Sequence, residues 1–182
     1  MLDTRLRKGF TLMELLITVS VLAVLLTFAA PGFSNLMKSS RMNSVQDELS
    51  GFLFMGKSEA VLRNMPVYIH FHELSNVNPS ERCLVLSLSD TISDCISDAI
   101  SVLKGRLLDR VVLEQSYPQS VIKFDHVRGW PELLYSKMNS DSYSEVIRFY
   151  SDTSKKVAVK MHMTGRVSFC GVGGDWYGQG AC

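Results

Sequence analysis

The chain has 182 residues, 20% of them charged, and a formal net charge of +1 at pH 7. This length allows one compact domain with a membrane segment and leaves little room for two full domains. Acidic and basic residues are mixed along most of the sequence. The overall charge therefore gives no reason to expect nucleic acid or a membrane surface as a partner, and any such partner must use a local patch.

The amino-terminal end combines a basic start with a long apolar run. Residues 10–30 cover about 21 positions, enough for a helix to cross a bilayer, and Glu14 is the one charged side chain among them. Three basic residues precede the run: Arg5, Arg7 and Lys8. The positive-inside rule predicts that they stay in the cytoplasm while the chain after Pro31 crosses the membrane. A cleaved secretory signal and an uncleaved anchor without a further role are the alternatives.

Glu14 is a costly residue in this setting. A carboxylate inside hydrocarbon costs about 3 kcal/mol even on the lenient insertion scale, so it calls for a partner. Residues 8–16, KGFTLMELL, resemble the amino-terminal signature of type IV prepilins and of type II secretion pseudopilins. The resemblance is specific because a basic residue, Gly, Phe, Thr and Glu stand in order before a long apolar helix.

The resemblance implies how this end is processed and used. Prepilin peptidase would cut between Gly9 and Phe10 on the cytoplasmic side, which makes residues 1–9 a leader, and Phe10 would then be N-methylated. Glu14 would meet the terminal amine of a neighbouring pilin subunit, which supplies the opposite charge that burial requires. Pro31 matches the proline that bends or loosens the long pilin helix, since it has no N–H to donate.

A second helical segment follows, over residues 31–66. Its apolar residues recur at spacings of three and four: Met42, Val45, Leu49, Phe52, Leu53, Gly56 and Ala60. This pattern predicts an amphipathic helix packed on a sheet, with Gly56 and Ala60 permitting close approach. The polar side chains predicted to face away are Arg41, Gln46, Asp47, Lys57 and Glu59. Residues 56–69 resemble the passage from helix to first strand in minor pilins and pseudopilins of the GspH/FimT type.

Residues 67–182 are predicted to form a β-rich head. Short segments rich in β-branched and aromatic residues are separated by turn-forming residues. These segments are 67–71, 83–88, 111–113, 121–124, 146–150, 157–161 and 166–170. The predicted fold class is α+β: a long amino-terminal helix, first transmembrane and then amphipathic, packed on an antiparallel β head as in pilins.

The four cysteines indicate an oxidising compartment. Three disulfide connectivities are possible, and the simplest joins Cys83 to Cys95 and Cys170 to Cys182. Each bond would then close a loop of about 13 residues and contribute about 3 kcal/mol. Disulfides persist in the periplasm, so an exported head gives both pairs an immediate role. The alternative is a cytosolic protein with free buried thiols. Zinc is disfavoured because neither pair has a CxxC spacing.

The sequence offers no positive support for catalysis, a cofactor or a bound metal. His70 and His72 share one strand face, but no third metal ligand can be named. The Ile-Ser-Asp repeat of residues 91–101 lacks the Gly and the terminal Glu of an EF-hand, so a solvated loop or short helix is predicted instead of a calcium site. Phosphate-binding loops and nucleophile elbows are absent from the sequence. We therefore expect a protein that is not an enzyme.

A basic group near the carboxyl end is the remaining candidate site. Its members are Lys155, Lys156, Lys160 and Arg166. Such a patch can bind DNA phosphates, and some FimT-like minor pilins are DNA receptors that carry a Gly-Arg-x-Arg motif. Residues 165–168 here read GRVS, without the second basic residue. The alternative is a polar turn followed by a solvent-facing strand position.

The leading hypothesis is a minor type IV pilin of the FimT/FimU kind that helps to prime or cap pilus assembly. It would sit in the bacterial inner membrane as a single-pass protein with its head in the periplasm, and would enter a pilus or pseudopilus. Its partners would be prepilin peptidase and other pilin subunits. A minor pseudopilin of type II secretion and a DNA-binding minor pilin of natural transformation are the alternatives.

Overall fold

The computed structural model describes residues 10–74, 81–104, 111–134 and 142–182. The chain divides into two compact units, Met1–Ser40 and Arg41–Cys182. This division falls inside the helix predicted for residues 31–66, so part of that helix belongs to the head. The boundaries proposed for the leader, membrane helix, amphipathic helix and head stay predictions, and the leader itself lies outside the described residues.

Helix α1, Leu12–Arg63, is the one long helix of the described chain. Thr11 caps its start, since the Thr11 hydroxyl oxygen accepts a hydrogen bond from the Glu14 N–H at 3.2 Å. Among the described residues no single helix has the length and hydropathy of a membrane span. The segments Leu12–Phe28 and Gly32–Arg63 meet those criteria together, across a bend.

The carboxyl-terminal part of α1 contributes one face to the core. Its apolar residues are buried as their spacing predicts: Met42, Val45, Leu49, Phe52, Leu53 and Ala60. A Cβ atom on Gly56 would lie 3.0 Å from Ile69 and 3.2 Å from Leu86, so this glycine lets the helix approach the sheet closely. Gln46 contradicts the prediction that it faces away, because it is only 5% exposed. It lies within one turn of buried residues on both sides, and its amide donates to Asn43 at 3.3 Å.

Residues Asn64–Pro66 end helix α1. Asn64 takes the left-handed conformation with φ 52°, and its N–H donates to the Val61 carbonyl at 3.2 Å. The Met65 N–H donates to the Ala60 carbonyl at 3.3 Å. These two bonds form a Schellman motif, which satisfies carbonyls that the last turn leaves without helical partners. Pro66 then prevents further helix.

Eight strands follow the helix. They are β1 Val67–His72, β2 Cys83–Ser87, β3 Ala99–Leu103, β4 Val112–Gln115, β5 Val121–Phe124, β6 Tyr143–Tyr150, β7 Lys156–His162 and β8 Val167–Val172. Strand β3 was not predicted. Its first three residues, 99–101, belong to the Ile-Ser-Asp repeat and contradict the loop or short helix predicted there, whereas residues 91–98 form the expected loop. The segment is a strand because β2 lies beside it.

The strands form two antiparallel four-stranded sheets. The first has the order β3-β2-β1-β5 and the second β4-β6-β7-β8. One core cluster joins α1 to both sheets, with Leu49, Phe124 and Phe149 among its fully buried side chains. The predicted α+β class, a long helix followed by an antiparallel β head, is confirmed.

Candidate functional site

The first turn of α1 carries the residues that the sequence singles out for assembly. Phe10 precedes the helix and its side chain is 73% exposed, whereas Gly9 lies outside the described residues. Glu14 is exposed in the first turn. The Thr11-x-x-Glu14 spacing is that of a capping box, in which the acidic residue supports the helix start. Glu14 therefore has two candidate roles, as a helix cap and as a charge for a partner.

The first unit presents an apolar surface. Side chains along this part of α1 are more than half exposed: Leu15, Leu16, Ile17, Val19, Val21, Leu22, Val24, Leu25, Leu26 and Phe28. Soluble monomers rarely expose contiguous apolar patches larger than a few hundred Å², and larger ones mark contacts with membranes or other proteins. This surface can therefore serve a lipid phase or the apolar side of another helix.

Cys83 and Cys95 form a disulfide, with their Cα atoms 6.1 Å apart. The bond ties the polar loop before β3 to the buried strand β2. Asp94 organises the same loop, since its carboxylate accepts the N–H groups of Ile96 at 2.7 Å and Ser97 at 2.6 Å. The hydrogen bond from the Ser97 backbone, followed by that from Ile96, lowers the pKa of Asp94. This carboxylate therefore has a structural role, and the described residues contain no group of three side chains that could hold a metal.

His70 fixes the start of the same loop. It is 5% exposed, and its Nε2 lies 2.9 Å from the Ser89 carbonyl oxygen and 3.2 Å from the Ser87 hydroxyl. Burial lowers the pKa of His70, because the charged form loses more solvation than the neutral form. A neutral imidazole that donates its Nε2–H to Ser89 satisfies this geometry. His70 thus holds the loop to the sheet, while His72 is half-buried.

The Cys170–Cys182 disulfide closes the glycine-rich tail, with the two Cα atoms 4.9 Å apart. Backbone hydrogen bonds also hold the tail: the Gly171 N–H donates to the Gly180 carbonyl at 2.8 Å, and the Cys182 N–H donates to the Gly171 carbonyl at 2.9 Å. Tyr177 and Gly178 both have positive φ, 53° and 80°, as a type I′ turn requires. This segment is therefore an ordered loop against the edge of β8.

Lys156 belongs to a three-residue network on the outer face of the second sheet. Its ammonium lies 3.1 Å from the Glu114 carboxylate and 4.6 Å from the centre of the Tyr150 ring. The Tyr150 hydroxyl also donates to Glu114 at 2.8 Å. This hydrogen bond, together with the contact to Lys156, lowers the pKa of Glu114, and the same hydrogen bond raises the pKa of Tyr150. Lys156 is thus paired within the protein by Glu114, and the pair is partly exposed.

Of the other three cations of the predicted basic patch, Lys160 lies in β7, Lys155 directly precedes it and Arg166 follows it. Lys160 lies over the Tyr143 ring at 4.5 Å and Lys155 over the Trp176 ring at 5.5 Å. Arg166 is exposed in the turn at the far end, where its carbonyl accepts the His162 N–H. At the rise of a β-strand this end lies about 20 Å from Lys156. The structure therefore does not bring the four cations into one compact patch.

Sequence reasoning did not find the aromatic partners of these lysines. Tyr150 precedes β7 by a turn, but Tyr143 is far from Lys160 along the chain. The register of β6 on β7 pairs Glu145 with Lys160 and Tyr143 with His162, which places Tyr143 diagonally beside Lys160. The only sequence signal for this contact is the alternation of side chains along β6, which does not specify the strand that lies beside it.

Comparison with known proteins gives one family match and two similar structures. The prokaryotic N-terminal methylation motif matches residues 4–30. No curated protein sequence matches the chain. Crystal structures of the type IV minor pilin FimU from Pseudomonas aeruginosa are similar to it at 15% identity in both cases. The form in space group P65 has a TM-score of 0.48 over 70% of this chain and 90% of that chain. The form in space group P21 has a TM-score of 0.49 over 69% and 85%.

The matched motif contains the Gly9, Phe10 and Glu14 positions from which the resemblance to prepilins was drawn. The chain is therefore type IV pilin-like, with the N-terminal methylation motif at the start of one long helix that is followed by antiparallel sheets.

Proposed function

We propose that this chain is a minor type IV pilin that helps to prime or cap a filament. In this proposal prepilin peptidase cuts between Gly9 and Phe10, and the new terminus at Phe10 is N-methylated. The observation that carries the proposal is the methylation motif over residues 4–30. The exposed apolar side chains of the first unit support it, since they require a membrane before assembly and other helices afterwards. The protein acts by assembly and is not an enzyme.

The same proposal places the chain in the bacterial inner membrane with its head in the periplasm. Two features of the molecule support this orientation. The basic residues before Phe10 favour the cytoplasmic side, and both disulfides of the head suit an oxidising compartment. After assembly the head would be carried on a pilus by α1, in contact with other pilin subunits.

Processing is tested by mass spectrometry of the protein purified from membranes. We expect the amino-terminal peptide to begin at Phe10 and to carry one additional methyl group. Gly9→Val should block cleavage and leave the leader attached, because the small residue before the cut would be lost. A mature protein that still begins at Met1, or one that begins near Pro31, would overturn the proposal.

The role of Glu14 is tested with three variants, because this residue can act as a charge or as a helix cap. Glu14→Gln removes the charge and retains a side chain that suits a capping box. Thr11→Ala removes the cap and retains the charge, and Ser20→Ala, about two and a half turns further on, is the matched control. We expect Glu14→Gln to abolish incorporation into sheared filaments while membrane insertion is unchanged. Loss in Thr11→Ala with retention in Glu14→Gln would assign Glu14 to helix capping only.

The contacts of the lysines argue against DNA as the main ligand. Lys156 is paired with Glu114, and the rings beneath Lys155 and Lys160 are already covered by their ammonium groups. We expect weak binding at most in a mobility assay. Strong, salt-sensitive binding that is lost on neutralising Lys155, Lys160 and Arg166 would instead support the natural-transformation alternative. Incorporation into a pseudopilus, and not a pilus, would support the type II secretion alternative.

A further inference from the structure

The first sheet buries side chains on both of its faces. One face packs in the core, with Ile69 and Leu86 among its buried residues. Because side chains alternate along a strand, His70, Val85 and Ser87 belong to the other face. Their exposed fractions are nevertheless only 5%, 0% and 0%. This second face of the sheet is therefore covered as well.

The loop between β2 and β3, residues 88–98, lies against the second face, and we call it the strap. It is attached to the sheet at two points. Near its start, the Ser89 carbonyl oxygen accepts hydrogen bonds from His70 Nε2 at 2.9 Å and from the Ser87 hydroxyl at 2.8 Å. Near its end, a disulfide joins Cys95 to Cys83 of β2. The first attachment involves a titratable ring, whereas the second is covalent.

A second proton on His70 would place a charge in a covered position. Both hydrogen bonds of the ring use Nε2, so this proton would bind to Nδ1, which has no hydrogen-bond partner among the described residues. The residues opposite His70 on β2 and β5 are Val85 and Val121, which carry no charge. Lys123, two residues further along β5, has its ammonium 2.7 Å from Glu132. The neighbouring strands therefore do not compensate a charge on the ring.

The charged groups of the strap and of β1 act in opposite directions. Asp90 of the strap favours the protonated ring, whereas His72 on the same face of β1 opposes it. Asp94 acts on His72, and its carboxylate is already bonded to the backbone of the strap. A further neighbour on β1 is Tyr68, whose ring centre lies 6.4 Å from that of His70. Burial has the largest effect and lowers the pKa of His70, so the closed strap favours the neutral ring.

We propose that the strap is released by acid: protonation of His70 detaches the Ser89 end from β1, while the Cys83–Cys95 disulfide keeps the other end in place. The charged ring gains solvation when the strap lifts, which offsets the lost hydrogen bonds. A cavity of about 220 Å³ already lies between residues 90–92 of the strap and β1, so water has a route to the ring. Release makes the second face of the sheet accessible and leaves the core face unchanged.

The direction of the pH dependence follows from the two states of His70. While the strap is closed, the pKa of His70 lies below the ordinary value of 6.5, which a solvated ring in the open form would have. The open form therefore binds more protons, and the equilibrium constant for opening increases as the pH falls below about 6.5. A single proton changes this constant by at most about tenfold per pH unit. The increase stops once the closed form is protonated too.

Opening is measured by hydrogen exchange of the full chain in detergent, followed by mass spectrometry at several pH values from about 5 to 8. Each rate is divided by that of the unfolded peptide at the same pH, which removes the chemical effect of pH on exchange. We expect the corrected exchange of residues 88–94 to be constant above about pH 7 and to rise by up to about tenfold per pH unit below about 6.5. The Ile96 and Ser97 amides, which Asp94 holds beyond the disulfide, should not rise with it.

Two matched substitutions on β1 identify the titrating group. His70→Gln retains a side chain that can donate to Ser89 but cannot be protonated, so its corrected exchange should not depend on pH. His72→Gln is the control, because His72 lies on the same face of β1 and makes no hydrogen bond to the strap among the described residues. This control should retain the rise. Near-ultraviolet circular dichroism and peptide mapping of the disulfides at each pH check that every variant is folded.

A third substitution, Asp90→Asn, keeps the test decisive if His70→Gln does not fold, since Asp90 is exposed. Loss of this carboxylate removes a group that favours the protonated ring, so the rise should extend to lower pH than in the native protein. A rise that does not extend would contradict the proposal. Native exchange that is independent of pH would overturn it, as would an equal rise in folded His70→Gln or an equal rise at Ile96 and Ser97.

Discussion

The contact between α1 and the turn after β5 makes a quantitative prediction about stability. Gly129 is buried with φ 64°, and a Cβ atom there would lie 2.7 Å from Lys57 Cγ and 2.9 Å from the Lys57 carbonyl oxygen. The side chain of Lys57 can move, but its carbonyl belongs to the backbone of α1. Lys57 also donates to the Thr164 carbonyl at 3.1 Å, which further restrains this contact. We therefore predict that Gly129→Ala destabilises the head.

The magnitude follows from two costs. An alanine in the left-handed conformation costs about 1 kcal/mol or slightly more, and forcing an extra methyl group into a packed site costs about 1 to 3 kcal/mol. We expect a loss of about 3 kcal/mol in the free energy of unfolding. For a chain of this size such a loss lowers the Tm by roughly 6 to 12 °C.

The assay is thermal unfolding of the full chain in detergent, followed by near-ultraviolet circular dichroism. Gly173→Ala is the matched control, because Gly173 has a φ of 77° but no atom within 4 Å of the added Cβ. The Gly173→Ala variant carries the conformational cost alone, and we expect its free energy of unfolding to fall by about 1 kcal/mol. Equal losses in the two variants would refute the packing argument, and an unchanged Tm for Gly129→Ala would refute the assigned contact as well.

Two further predictions concern the tail and the Glu114 network. Replacing Cys170 and Cys182 together by serine should lower the free energy of unfolding by about 3 kcal/mol, by the loop-entropy estimate. It should also expose the tail to limited proteolysis at Trp176 or Tyr177. Resistance to proteolysis equal to that of the native protein would show that the backbone hydrogen bonds hold the tail without the disulfide. Glu114→Gln should cost up to about 1 kcal/mol at pH 7, since the pair with Lys156 is partly exposed. The folded-state pKa of Glu114 lies below its ordinary value of 4.5, so this contribution is present above that pH and is lost as the pH falls through the folded-state pKa. Chemical denaturation of both proteins at pH 7 and below pH 4 measures the difference, and a deficit that persists undiminished in acid would contradict the assignment.

The sequence predicts those features that local spacing encodes. The apolar positions from Met42 to Ala60 are specified by a spacing that repeats within two helical turns. Gly56 was expected to permit close approach and does so against Ile69 and Leu86. The cysteine spacing likewise favours local pairs, and the structure contains both of them.

The missed features depend on residues that are distant in the sequence. Gln46 is polar and was assigned to the outer face of α1, but the head covers the side of the helix next to the apolar stripe. Strand β3 has a short apolar sequence that is compatible with a loop, and it becomes a strand because β2 lies beside it. Neither outcome can be obtained from a periodicity, because each is decided by what packs against the segment.

The basic group near the carboxyl end also shows the difference between what the sequence predicts and what the tertiary structure decides. The sequence identifies Lys155, Lys156, Lys160 and Arg166 as neighbours along the chain, but their partners come from β4, β6 and the tail. A charge becomes available or neutralised only when the opposing side chains are in place. Strand register decides this, and register depends on the whole sheet.

The sequence by itself determined the amino-terminal motif with Gly9, Phe10 and Glu14 and the amphipathic course of α1, and it favoured the local cysteine pairs, because each depends on residues close together in the chain. Only the tertiary structure decided that residues 99–103 form a strand beside β2 and that the lysines of β7 are engaged by Glu114 and by aromatic rings. The physical reason is that strand order and register bring distant side chains together, and burial then determines which charges and edges remain exposed.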